Sequence, residues 1–198
     1  MTLLLTLACA PQLYSDAPTV WLAPENNWPA TDQLPEEFKG EGFSVGQVVP
    51  ELVAIDQNGD DFSLWQFYGQ VVILDISTMW CAPCQELAKE VDETWKHYQD
   101  NDLMYLTVLP QNLDGEPPTV PELNDWTDSF GITAPVVSDD KDWYLGAVPN
   151  NTFPQLMIVG RDMRVFARDI PASDPEIRGV VDEYLAQDRY DREKPREA

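Results

Sequence analysis

Residues 71–84 read VVILDISTMWCAPC, and this stretch decides the fold. Residues 71–76 form a continuous apolar run apart from Asp75, and an unbroken run of this length is typical of a strand covered on both faces of a sheet. The stretch then ends on two cysteines separated by an Ala-Pro pair. Because a buried carboxylate costs free energy and a close cysteine pair is reactive, the combination indicates chemistry as well as structure.

A helix is predicted to begin at the cysteines. After Cys84, apolar residues recur at helical spacing as far as Tyr98, and the charged residues lie largely off that stripe. The unpaired N–H groups at the start of such a helix favour the thiolate form of Cys81, so we expect Cys81 to be the nucleophile. Cys84, one turn further along and more buried, is expected to resolve the mixed disulfide. Pro83 suits the first helical turn, where its missing N–H costs nothing.

Strands and helices alternate along the rest of the chain. Residues 50–64 read as a β-hairpin with Asn58-Gly59 at its turn. The other predicted strands are residues 103–109, 134–137, 155–159 and 164–168, and the other predicted helices are residues 120–130, 139–145 and 174–186. This order predicts one α/β domain with a mixed sheet.

The motif WCAPC, residues 80–84, follows an apolar strand and opens a helix, and in this it resembles the active site of the thioredoxin superfamily. The resemblance implies a thioredoxin fold, a three-layer α/β sandwich with a central mixed sheet, flanking helices and here an added N-terminal hairpin. The hairpin and residues 120–137 resemble the exported TlpA-like and ResA-like thiol-disulfide oxidoreductases, which are related to the redoxins. An enzyme of that kind exchanges disulfides with proteins and needs no cofactor.

The resemblance also assigns residues. Asp75 stands six residues before Cys81 and matches the buried aspartate that serves thioredoxins as a proton acceptor for the inner cysteine. Phe153-Pro154 precedes an apolar strand, where the superfamily carries a cis-proline that faces the cysteines and presents the backbone to a substrate strand. Pro149 is the weaker candidate for that proline. The expected substrate-binding residues are Trp80, Ala82, Pro83, Phe153 and Pro154.

The chain opens on MTLLLTLACA, an apolar and uncharged run that ends on small residues. Residues 1–9 are predicted to be an export signal that resembles a lipoprotein signal, with Cys9 as the lipidated residue and an ordinary cleaved signal as the alternative. Residues 10–42 are predicted to be a tether or a wrapping arm, residues 43–188 the thioredoxin-like domain, and residues 189–198 a charged tail. The expected location is therefore outside the cytoplasm, in the periplasm or envelope.

The composition is strongly acidic. With 12 Lys and Arg against 35 Asp and Glu, the formal net charge is −23, and such a chain repels phosphate backbones. Nucleic acid is therefore not an expected partner. We expect a monomer that exchanges disulfides with client proteins, for example an apocytochrome or another exported protein, and with an upstream thiol reductant or oxidant. The redox direction stays open.

Other functions compete with this interpretation. Cys81 and Cys84 could supply half of a zinc site, but the sequence offers few further ligands and no metal site is expected. The pair could also form a purely structural disulfide in a binding module that has kept the fold, although a bridge over so short a loop stabilises little. The enzymatic alternative is a redoxin-type thiol peroxidase, which would carry its reactive cysteine in a Pro/Thr-flanked loop.

Overall fold

The computed structural model describes residues 21–31, 33–148 and 150–193. The strands are β1 (Val53–Asp56), β2 (Asp61–Ser63), β3 (Val71–Ile76), β4 (Leu103–Leu109), β5 (Val136–Ser138), β6 (Gln155–Val159) and β7 (Val165–Arg168). The α-helices are α1 (Ala82–Ala88), α2 (Val91–Tyr98), α3 (Val120–Phe130), α4 (Tyr144–Ala147) and α5 (Asp174–Glu193). Within the described ranges, none of the helices combines the length and the apolar character that a membrane crossing requires.

All seven strands form one sheet in the order β2-β1-β5-β4-β3-β6-β7. Strand β3 runs parallel to β4, and β4 runs parallel to β5, whereas β6 is antiparallel to β3 and β1 is antiparallel to β2. Every residue of β3 is buried, as its continuous apolar run predicts. The predicted α/β architecture, with a central mixed sheet and an N-terminal hairpin, is therefore confirmed.

One face of the sheet is covered by helices, and the other is covered largely by loops and turns. Val71 and Ile73 of β3 face a core to which α1, α2, α3 and α5 contribute. Val72 and Leu74 point to the other face, because successive side chains of a strand alternate. There they meet α4, the 3-10 turn Leu64–Phe67 and aromatic side chains that come from residues before the first strand. One outer layer is thus helical and the other is largely irregular.

Residues 21–42, which we call the arm, supply part of that irregular layer. The ring of Phe38 packs edge-on against Trp65, with centroids 4.9 Å apart, and against Tyr68 at 5.4 Å. The described part of the predicted tether therefore lies on the domain, and residues 10–20 fall outside the described residues. The arm side chains that pack on the core are Trp21, Trp28, Leu34 and Phe38.

A buried carboxylate fixes the arm to the hairpin. Asp56, at the end of β1, is fully buried. One of its oxygens accepts the backbone N–H groups of Asn58 and Asp60 at 2.8 and 3.0 Å. The other accepts the indole N–H of Trp28 at 2.6 Å and the side-chain amide of Asn58 at 3.2 Å. These four donors offset the cost of burying the carboxylate.

Trp28→Phe should destabilise the protein by about 1–3 kcal/mol, because it removes a charge-assisted donor from a buried carboxylate while keeping an aromatic ring in place. Urea unfolding followed by circular dichroism would measure the loss. Trp21→Phe is the matched control: its indole N–H donates to Glu51, which is only half-buried and also receives the Ser63 hydroxyl at 2.8 Å. A loss in the control as large as that of Trp28→Phe would contradict the role given to Asp56.

The apolar stripe after the cysteines predicts one helix, and the structure contains two. Between α1 and α2 the N–H of Lys89 bonds to the carbonyl of Glu86 at 3.4 Å, and the N–H of Glu90 to that of Leu87 at 2.9 Å. These i to i−3 bonds tighten the chain and end the first helix. Because residues three and four apart share a helix face, the stripe continues across the break, and periodicity alone does not reveal it.

The predicted helical turn over residues 139–145 is wrong in position, since α4 begins only at Tyr144. The cause is the side chain of Asp139. Its carboxylate accepts the backbone N–H groups of Lys141 and Trp143 at 3.2 and 3.1 Å, and that of Tyr144 at 2.7 Å. An aspartate that bonds to the backbone just after it favours a turn over a helix.

Helix α5 is longer than predicted. The apolar pattern ends at Ala186, but the helix continues to Glu193 and so includes the first part of the predicted tail. In this polar extension Arg192 bonds to Asp188 one turn earlier at 2.8 Å, a pairing that supports a helix without burial. Residues 194–198 lie outside the described part of the chain.

Candidate active site

The cysteine pair lies at the carboxyl end of β3, where α1 begins. Cys81 is the N-cap residue of α1, and its sulfur accepts the backbone N–H of Cys84 at 3.3 Å. Pro83 occupies the first turn of the helix. The two cysteines are joined as a disulfide, with their Cα atoms 5.2 Å apart. The structure therefore places both residues at the helix start that the sequence predicts.

Burial distinguishes the two sulfurs. Cys84 is fully buried in the helical core, whereas Cys81 keeps 5% of its surface exposed. Ala82 and Pro83, between them, are exposed. Of the two cysteines, Cys81 is therefore the one that keeps some surface toward solvent.

Asp75 is buried in β3 on the same side of the sheet as the cysteine helix. Asp75 lies on the same face of the strand as Val71 and Ile73, because residues two apart share a face, and α1 and α2 cover that face. Only 1% of its surface is exposed. Burial raises the pKa of Asp75 to about 7, against the opposing effect of a hydrogen bond that the Ser77 hydroxyl donates at 2.6 Å. A carboxyl with this pKa can take up or release a proton near neutral pH.

Two hydroxyls of the neighbouring strand share the face of Asp75. The register of β3 and β4 pairs Asp75 with Thr107 and Ile73 with Tyr105. Both hydroxyls are buried and have no hydrogen-bond partner among the described residues. Burial is the main cause of the raised pKa of Tyr105, and the nearby charge of Asp75 adds to it. Sequence reasoning missed these polar neighbours because LMYLTVL, residues 103–109, reads simply as an apolar strand.

The indole of Trp80 stands beside the cysteines with 47% of its surface exposed. Its N–H donates to the side-chain carbonyl of Gln111 at 3.0 Å, and its ring meets Phe153 edge-on with centroids 5.9 Å apart. The structure thus brings Trp80 and Phe153 together, and their role in substrate binding stays a prediction. Gln111 lies in the polar loop after β4, where no sequence pattern distinguishes it from its neighbours.

The peptide bond between Phe153 and Pro154 is cis, as the resemblance implies. The antiparallel register of β3 and β6 pairs Ile76 with Gln155. Pro154 therefore lies at the edge of the sheet from which the chain passes to the cysteines. Pro149, the alternative candidate, is outside the described residues.

Two glutamines hold the turn before the cysteines. The side-chain amide of Gln85 donates to the carbonyl of Met79 at 2.7 Å, and the backbone carbonyl of Gln111 accepts the N–H of Met79 at 3.0 Å. Neither contact follows from a sequence pattern. Together they attach the WCAPC turn both to its own helix and to the loop after β4.

No set of three or more His, Cys, Asp or Glu side chains converges on a possible metal position within residues 21–31, 33–148 and 150–193. Cys9, the predicted site of lipid attachment, lies outside these residues.

Comparison with known proteins identifies the family. A sequence model described as the AhpC/TSA family matches residues 45–165, a region that contains both cysteines, Asp75 and Pro154. The chain belongs to the AhpC/TSA family. The predicted membership of the thioredoxin superfamily, in its redoxin-related ResA-like branch, is confirmed, and with it the prediction of a thioredoxin-like redox enzyme at the level of the family.

Three proteins that are similar to this AhpC/TSA-family chain are named as thiol-disulfide oxidoreductases. The thiol-disulfide oxidoreductase ResA of Geobacillus thermodenitrificans is 28% identical over 122 residues, which are 62% of this chain and 67% of that protein. ResA of Bacillus subtilis is 26% identical over 125 residues, 63% of this chain and 66% of its own length. The thioredoxin domain of a thiol-disulfide oxidoreductase from Bacteroides vulgatus superposes with a TM-score of 0.61 at 19% identity, covering 71% of this chain and 98% of that domain. The thioredoxin fold is thereby confirmed.

Proposed function

We propose that the chain is a thiol-disulfide oxidoreductase that exchanges disulfides with protein substrates outside the cytoplasm. The observation that carries the proposal is the Cys81–Cys84 disulfide at the start of α1, with Cys81 slightly exposed, Cys84 fully buried and an ionisable carboxyl, Asp75, buried on the same side of the sheet. The activity for which the ResA relatives are named supports it.

Exchange starts from the reduced pair. The thiolate of Cys81 attacks one sulfur of a substrate disulfide, so a bond forms between protein and substrate while the substrate disulfide breaks and its other sulfur leaves as a thiolate. Cys84 then gives up its proton and attacks the sulfur of Cys81, which closes the internal disulfide and releases the second substrate sulfur. Two electrons pass to the substrate, and the thiol protons of the pair end on the substrate sulfurs. The reverse sequence oxidises a substrate dithiol.

Asp75 is the proton acceptor for the second step. Cys84 is fully buried, so water cannot readily remove its proton. The carboxyl of Asp75, with its pKa raised to about 7 by burial, is ionised in part of the molecules at neutral pH and can accept that proton. In the reverse direction the protonated carboxyl returns it. A thiol reductant or oxidant from a second protein resets the pair after each cycle.

The substrate lies along the exposed edge of the site. Trp80, Ala82 and Pro83, the sequence neighbours of Cys81, are exposed. The ring of Phe153, which precedes Pro154 across the cis bond, meets the indole of Trp80. An extended client segment can bond to the backbone there, and the paired rings of Trp80 and Phe153 offer it an apolar contact.

The extracytoplasmic location and the lipid tether rest on the sequence of residues 1–9. An apolar, uncharged opening that ends at Cys9 suits an exported protein held at a membrane by a lipid on that cysteine. Mass spectrometry of the mature N-terminus would test both points: a diacylglyceryl mass on Cys9 is expected, and an unmodified N-terminal Met1 would contradict them.

The activity itself is tested by rapid mixing of the reduced protein with a peptide that carries an intrachain disulfide. We expect peptide thiols to appear together with the Cys81–Cys84 disulfide, and Cys81→Ser to react no faster than a simple thiol. Hydrogen peroxide in place of the peptide tests the peroxidase alternative. Faster oxidation of the pair by peroxide than by the peptide would favour that alternative, and no reaction with either would favour a binding module with a structural bridge.

A further inference from the structure

A groove of about 440 Å³ opens beside the cysteine turn, between that turn, the loop after β4 and helix α3. Its lining includes residues on both sides of the redox pair in the sequence. Met79, two residues before Cys81, and Gln85, the residue after Cys84, form one wall, and the amide of Gln85 donates to the carbonyl of Met79 at 2.7 Å. A segment bound in the groove would therefore lie next to a disulfide that Cys81 attacks.

The interior of the groove is apolar. The indole of Trp126 is almost fully buried and packs edge-on against Phe130, with ring centroids 4.7 Å apart. Leu113, also in the lining, has 74% of its surface exposed. The indole N–H of Trp126 is buried and has no acceptor among the described residues. The groove thus offers contacts to an apolar side chain.

The outer part of the groove is negatively charged. Glu122 and Asp125, one helical turn apart on α3, belong to its lining. Hydrogen bonds from the backbone N–H and hydroxyl of Thr119 keep the pKa of Glu122 below its usual range, so that side chain stays anionic. Asp125 is exposed and makes no hydrogen bond or ion pair with a described residue. The sequence between residues 97 and 140 contains no Lys or Arg, so no cation from this part of the chain offsets these charges.

We propose that this groove selects the client, by binding a stretch in which an apolar side chain and neighbouring Lys or Arg residues flank the cysteine to be exchanged. The apolar side chain packs against Leu113, Trp126 and Phe130, and the cationic side chains lie against Glu122 and Asp125. The inference rests on the proposed thiol-disulfide exchange and adds to it the chemistry of the substrate. Charge complementarity of this kind discriminates between partners and speeds encounter more than it tightens binding.

Two synthetic peptides with the same intrachain disulfide would test the proposal, one with Leu-Lys-Lys and the other with Leu-Glu-Glu beside the cysteine. At low ionic strength we expect the second-order rate constant with which the reduced protein reduces the lysine peptide to exceed that for the glutamate peptide by on the order of tenfold, and the ratio to fall at high salt. Asp125→Lys should lower the ratio by roughly fivefold. Leu113→Ser should slow both peptides.

Asp100→Lys is the matched control. It makes the same change of charge on an exposed residue in the turn Gln99–Asn101, which precedes the amino end of β4 and so lies at the opposite edge of the sheet from the cysteines. We expect it to leave the peptide ratio within about twofold of wild type when both variants are compared at about 0.1 M salt, where charges separated by more than about 10 Å are screened. A peptide ratio near one in the wild type would contradict the proposed role of the groove. An equal change of that ratio in Asp125→Lys and Asp100→Lys would contradict it as well.

Hydroxyethyl disulfide separates the groove from the chemistry. This small neutral substrate cannot reach across the groove, so Asp125→Lys and Leu113→Ser should reduce it at the wild-type rate. A loss of that rate in either variant would show damage to the redox pair and would contradict the proposal. If wild-type protein reduced neither hydroxyethyl disulfide nor the peptides, the proposed function would fail and the groove proposal with it.

Discussion

Cys84→Ser protein is expected to accumulate a mixed disulfide with its substrate. The variant keeps the accessible thiol of Cys81, which attacks a peptide disulfide, but it lacks the buried thiol that would release the peptide again. Near-stoichiometric trapping should follow, whereas wild-type protein should hold only a few per cent of the adduct under the same conditions. Non-reducing electrophoresis and intact-mass spectrometry would measure the trapped fraction.

Cys81→Ser is the natural control for this experiment. The remaining thiol of Cys84 is fully buried at the first turn of α1 and should form no adduct with the same peptide. Peptide mapping should place the trapped substrate on Cys81. Equal trapping by the two variants would mean that both sulfurs meet solvent, and the division of roles between them would then be wrong.

Asp75→Asn is expected to slow exchange by roughly 100-fold at pH 7, the lower end of the effect that a positioned general base provides. Because burial raises the pKa of Asp75 to about 7, the wild-type rate should rise through an inflection near that pH as the carboxylate becomes available. The variant cannot ionise at this position and should lose the inflection. Stopped-flow measurement of exchange from pH 5 to pH 9 would record both profiles.

Ser77→Ala sharpens that test. The hydroxyl of Ser77 donates to the carboxylate of Asp75 at 2.6 Å and holds its pKa down. Its removal should move the inflection to higher pH without abolishing it, whereas a merely structural disturbance would lower the rate at every pH alike. Identical profiles for wild type and Asp75→Asn would exclude Asp75 from proton transfer.

The same carboxyl makes stability depend on pH. The folded-state pKa of Asp75, about 7, lies above its ordinary value of 3.8, so between these values the folded protein holds a proton that the unfolded chain has released. The contribution of this proton to stability is present at low pH and is lost as the pH rises toward 7. Asp75→Asn should therefore be more stable than wild type at pH 8, by up to about 4 kcal/mol, and should show little advantage near pH 4.

The redox centre could be predicted from sequence because its determinants are local. The apolar run of β3, the spacing of Cys81 and Cys84 and the stripe that follows them each reflect a short-range constraint. The position of Pro154 was accessible only through the resemblance. What could be predicted is therefore the part of the site that lies on one continuous stretch of chain, together with one residue that the family pattern supplies.

Contacts between distant segments could not be predicted. Gln111 meets Trp80 across 31 positions of sequence, and the wall of the groove brings Met79 beside Trp126. Such pairs depend on how the loop after β4 folds back, and no periodicity encodes that path. The break between α1 and α2 was missed for a different reason, since the apolar stripe is compatible with either arrangement.

The irregular layer over the second face of the sheet has a practical consequence for anyone who shortens this gene. The family match covers residues 45–165. Trp28, which precedes this interval, donates a hydrogen bond to the buried carboxylate of Asp56. Ile177 and Val181 of α5, which follow the interval, belong to the helical core. A protein shortened to residues 45–165 would contain both cysteines but would expose apolar core surface on both faces of the sheet. The smallest version that folds by itself should reach from Trp21 to at least Val181.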